Sequence, residues 1–266
     1  MRCTQCGSSH QAPRNPSPTI PSPTAALRAI AGALGNVCSN DDAEAAGSRA
    51  FALGIKLGKE LEMGAAVLAA LRKELARAPP ASAQGEEEER GAGADVDVGA
   101  GDRTRDAGAV AALLRGLQRV SVNDELCERA CEAGALVDAL GCVCDPAAPP
   151  RVVAAALQLL GQLAGNDRTR SALVAEGFLE SVPGVYARHA RDAAVVEPLL
   201  RVLGMALLRN PAAAERAFGS GCLESVADAL QSHAGTGAVC RQCCQVKHGV
   251  VGRRVDGRSA ASVCYM

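Results

Sequence analysis

Apolar residues recur ahead of four asparagines at steps of three, four and three. Three residues before Asn40, Asn123, Asn166 and Asn210 stand Val37, Val120, Leu163 and Leu207; six before stand Leu34, Leu117, Leu160 and Gly204; ten before stand Ile30, Leu113, Ala156 and Leu200. Thirteen before come Leu27, Val110, Val153 and, as the polar exception, Glu197. These steps keep apolar side chains on one face of a helix, so the spacing predicts four amphipathic α-helices of about four turns each.

Beyond each asparagine the pattern changes. DELCERACEA after Asn123 predicts a shorter helix and ALVDALGCV another, with Gly134 between them; Gly177 and Gly221 occupy the same place after Asn166 and Asn210. Asn is good N-cap chemistry, and Gly suits the left-handed residue that ends a helix. The prolines of DPAAPP at 145–150 stop one helix and start the next. The units lie 43 and then 44 residues apart, a period that indicates stacked helical repeats.

The first unit fits once two insertions are removed, with Gly64 aligned to Gly134 and Pro79-Pro80 to Pro149-Pro150. The larger insertion, about 81–105, has no apolar periodicity and carries seven acids against three arginines, which predicts a solvated loop. The chain then divides into a Pro/Ser-rich tail at 1–23 and a repeat array at 24–245. The array comprises a partial unit at 24–39, units at 40–122, 123–165 and 166–209, and a partial unit at 210–245. A basic, Gly-containing tail at 246–266 replaces the second half of the last long helix, so the final unit reads as incomplete and uncapped.

Composition sharpens this picture. Nearly half the residues are hydrophobic, yet there are only three Phe, two Tyr and no Trp, so thin layers of Leu, Val and Ala are expected in place of one deep core. A net charge of -1 gives no global attraction to nucleic acid or anionic membrane. The first twenty residues hold no apolar run of the signal-peptide kind, and Arg115, Gln158 and Gln162 interrupt the apolar stretches before membrane-spanning length. A soluble cytosolic or nuclear protein with twelve reduced cysteines is expected. The acid-poor beginning, with Arg2, Arg14 and Arg28, leaves organelle import as a minor alternative.

The units NDELCERACEAGALVDAL, NDRTRSALVAEGFLESV and NPAAAERAFGSGCLESVADAL, each joined to a long amphipathic helix, resemble armadillo repeats over roughly residues 24–245. The resemblance implies an all-α, armadillo-type right-handed superhelical solenoid whose third helices line a groove for an extended partner segment. In peptide-binding members those helices present a Trp and, four residues later, an Asn. Counted from the asparagines, Gly32, Arg115, Gln158 and Val202 match the Trp, and Asn36, Arg119, Gln162 and Ala206 match the Asn. With no Trp and only Asn36 in place, an importin-like receptor for basic peptides is disfavoured. The remaining groove residues, Asn36, Arg115, Arg119, Gln158 and Gln162, suit an extended acidic or phosphorylated protein segment.

Other chemistry is sparse. Cys3, Cys6 and His10, with Cys240, Cys243, Cys244 and His248, form the alternative of zinc or nucleic-acid binding through the chain's ends, but neither set has a second CxxC at zinc-site spacing. Cys127, Cys131, Cys142 and Cys144 read as packing residues and the four histidines as solvated ones. No nucleophile motif, carboxylate pair or phosphate loop is present, so the expectation is a protein-binding scaffold with no enzymatic activity, cofactor, small-molecule substrate or membrane partner.

Overall fold

The computed structural model describes residues 62–77 and 105–251, with isolated positions between 29 and 59; among these residues all regular structure is helical. The helices are α1 (Met63–Leu75), α2 (Ala107–Val120), α3 (Asp124–Glu132), α4 (Ala135–Cys144), α5 (Pro150–Leu163) and α6 (Asp167–Ala175). They continue with α7 (Phe178–His189), α8 (Ala193–Leu207), α9 (Pro211–Gly219), α10 (Cys222–Ser232) and α11 (Gly237–Val251). Asn36, Cys3, Cys6, His10, the tail at 1–23 and residues 78–104 of the insertion region lie outside the described residues.

The punctuation works as its chemistry dictates. The side-chain oxygens of Asn123, Asn166 and Asn210 accept from the backbone N–H of Leu126, Thr169 and Ala213 at 2.9, 2.8 and 3.0 Å, satisfying donors that the first turn leaves free. Gly134, Gly177 and Gly221 have φ of 91, 84 and 82°, a left-handed backbone that side chains disfavour. A Cβ at Gly134 would also displace the tip of the Arg72 side chain.

Packing follows from the apolar faces. The long helices α2, α5, α8 and α11 pack each on the next; α1, α4, α7 and α10 lie against them on one side, and the shorter α3, α6 and α9 complete the units. Leu117 and Leu160, on the recurrent apolar stripe, are fully buried, as are Leu114, Leu157 and Leu199. Each such side chain contributes about 1.5–3 kcal/mol relative to exposure, so the layers are held chiefly by leucine and valine burial between neighbouring units.

Four sequence expectations need correction. The residue equivalent to the left-handed glycines in the first unit is Glu62, at φ 48°, while Gly64 lies inside α1. Arg105 belongs to the folded body and not to the insertion: its guanidinium donates to Leu75 O at 2.8 Å and pairs with Asp145 at 3.0 Å, directly before the Asp106 cap of α2. The last long helix is not cut at 245, because α11 runs to Val251 with Val246 and Val250 buried. Gly249 does not break it and faces Leu207 of α8, where a Cβ would make ordinary contact. Finally, His233 is buried, its Nε2 2.7 Å from Ala190 O.

Candidate partner-binding face

The side of the long helices turned away from their companion helices is open. The starts of these helices set the register: the N-caps Asp106, Pro149 and Asp192 are spaced by 43 residues each. Arg115, Gln158 and Arg201 therefore occupy one equivalent position, and all three are exposed. The 44-residue interval arises at the other end of α8, where Arg209 takes φ 56° before the Asn210 cap. Counting back from that asparagine placed Val202 and Ala206 on the face, whereas both are fully buried and Arg201 is the residue that emerges. Counting forward from the caps would have found it.

Direct contacts support the register. A Cβ built on Gly161 of α5 would lie 3.9 Å from Arg201 Cδ, and one on Gly204 of α8 would lie 3.9 Å from Gln245 Cβ. α8 and α11 thus each pass an exposed polar stem across a glycine of the preceding long helix. Arg115 and Arg119 stand exposed on α2, Arg151 and Gln158 on α5, and Arg241 and Gln245 on α11. Gln162 is half-buried and committed: its Nε2 donates to Ser121 O at 3.0 Å, tying α5 to the end of α2.

Charge is divided between helix types. The four long helices carry six arginines and lysines, Arg115, Arg119, Arg151, Arg201, Arg241 and Lys247, against one carboxylate, Glu197, which accepts from Gln242 at 3.4 Å. The shorter helices carry the acids Asp124, Glu125, Glu128, Glu132, Asp138, Asp167, Glu180, Glu215, Glu224 and Asp228, several of them in ion pairs between units. A cationic stripe with its counter-charges on other helices attracts anionic side chains.

The cysteines and histidine of the C-terminal set, Cys240, Cys243, Cys244 and His248, all lie on α11. Among the described residues no three His, Cys, Asp or Glu side chains converge as metal ligands. On α11, Cys243 is buried and its thiol lies 3.7 Å from Val226 O, Cys240 donates to the carbonyls of His233 and Ala234 at 3.6 Å, and Cys244 and His248 are exposed. Burial pushes the thiols of Cys127, Cys131, Cys142 and Cys243 up to about 11, which keeps them protonated near neutral pH. His189 is half-buried, and desolvation lowers its pKa. No helix among the described residues is long and apolar enough to cross a membrane.

No family model matches the sequence, and no curated protein matches it. Among solved structures, the crystal structure of an engineered protein is similar in fold, with a TM-score of 0.62 at 17 % identity, covering 86 % of this chain and 76 % of that one.

Proposed function

We propose that the chain is an armadillo-type helical-repeat scaffold, a right-handed superhelical solenoid without enzymatic activity, that holds an extended segment of a partner protein along the open face of α2, α5, α8 and α11. The observation that carries this reading is the cationic stripe. A repeat protein that needed this face only for solubility would mix both signs along it, and here a single glutamate, Glu197, accompanies the five arginines Arg115, Arg119, Arg151, Arg201 and Arg241. Equivalent side chains in register on successive helices offer an extended chain the same chemistry at regular intervals, the mode in which repeat proteins bind. Residence in the cytosol or nucleus goes with this proposal, where thiols such as those of Cys127 and Cys243 stay reduced.

The test is quantitative affinity capture with mass spectrometry, using the full chain and the variant Arg115→Glu/Arg119→Glu after circular dichroism has verified equal helicity. Proteins lost only from the variant would support the face as the working surface. An identical set of captured proteins would contradict it.

A further inference from the structure

We infer that the open face is an arginine ladder specific for an acidic peptide whose carboxylates recur about every six residues; this deepens the reading above and rests on it. The rungs at the equivalent position are Arg115, Gln158, Arg201 and Gln245, an alternation of guanidinium and carboxamide along α2, α5, α8 and α11. The stems of Arg201 and Gln245 cross Gly161 and Gly204 of the preceding helices, so the ladder is continuous from α5 to α11. Packed helices lie about 8–10 Å apart, which separates the two arginine rungs by roughly 20 Å. An extended peptide advances about 3.3 Å per residue, so about six residues span that distance.

The rungs choose between classes of anion. None of α2, α5, α8 and α11 contains Phe, Tyr or Trp, and the one imidazole, His248, stands alone at the end of α11, so successive bases of a single-stranded nucleic acid find no row of stacking platforms. The carboxamides of Gln158 and Gln245 each offer both a donor and an acceptor, matching the N–H and C=O of an extended peptide, whereas a phosphodiester backbone offers acceptors alone. The guanidinium forks of Arg115 and Arg201 take carboxylates two hydrogen bonds at a time.

Fluorescence anisotropy of the full chain with labelled peptides of about fifteen residues tests the ladder. One peptide carries Glu at six-residue spacing, another has the same composition with its Glu clustered at one end, and a third probe is an oligouridine of equal charge. The six-spaced peptide is expected to bind tightest. Arg201→Glu should weaken it about tenfold or more, since charged hydrogen bonds are lost, and Arg201→Lys by less. Lys73→Glu, an exposed position on α1 away from the face, should leave binding unchanged. Circular dichroism confirms that each variant is folded. Equal binding of the clustered peptide, tighter binding of the oligouridine, or an equal loss in Lys73→Glu would overturn the ladder. Proteins still lost from Arg115→Glu/Arg119→Glu in affinity capture would then leave the broader protein-binding reading standing; their absence would remove both.

Discussion

Arginine does two different jobs in this molecule, and the two sets lie on different helices. Along the shorter helices and their loops, guanidinium groups join neighbouring units. Arg170 on α6 is buried and donates to Gly165 O at 3.3 Å and to Leu208 O, one unit further on, at 3.1 Å. Arg216 on α9 donates to Val174 O at 3.2 Å and pairs with Glu180 at 2.6 Å, and Arg188 on α7 donates to Val143 O at 2.8 Å. On the long helices, Arg115, Arg119, Arg151 and Arg201 are exposed, and no carboxylate stands on α2 or α5. Residue type alone does not separate structural from surface cations; the position on the repeat does. A guanidinium on a shorter helix meets the free carbonyls of a neighbouring helix end, whereas one on the long helices' open side meets solvent.

Substitutions in the layers themselves have the largest expected effect. Leu160→Asp places a carboxylate where the side chain is fully buried without a partner, and should cost about 4 kcal/mol or more, seen as loss of helicity and of a cooperative urea transition. Arg170→Ala should destabilise by about 2 kcal/mol, because a buried side chain is lost and the carbonyls of Gly165 and Leu208 lose their charged donor. Asn166→Ala removes one N-cap bond and should cost about 1 kcal/mol by the same urea measurement.

A smaller effect sharpens the seam side of the comparison. Tyr186 on α7 donates to Asp228 on α10, and burial first, then that bond, push its pKa up to about 12. A raised folded pKa means that the phenol's contribution to stability is fully present below the ordinary value of about 10 and is lost as pH rises toward 12. Ultraviolet titration of Tyr186→Phe against wild type should show a phenol ionising near pH 12 in wild type that is absent from the variant. Ionisation at the ordinary value would mean that the α7–α10 seam is open.

Much of this architecture was legible because it rests on local chemistry. Asn caps and left-handed glycines announce themselves by residue type and spacing, and the apolar stripe through Leu117 and Leu160 is a helical period. What was not legible depended on where an extra residue is absorbed. The 44-residue interval does not reveal whether α8 gains its residue at the start or the end, and the answer exchanges Val202 for Arg201 on the open face. Assigning 246–266 to a tail ended the last helix too early, although Val239, Cys243, Val246 and Val250 keep the helical step through Gly249. The burial of His233 likewise follows from a contact between units, with Ala190 O, and not from neighbours in sequence.

The most direct test of the division between seam and face is urea unfolding of the variant Arg115→Ala/Arg119→Ala/Arg151→Ala/Arg201→Ala beside Arg170→Ala. The account predicts that removing four face arginines leaves stability within about 0.5 kcal/mol per site, whereas the single seam substitution lowers the midpoint clearly. A loss in the four-site variant as large as that of Arg170→Ala would show that the face arginines hold the fold, and would contradict the assignment of that face to a partner.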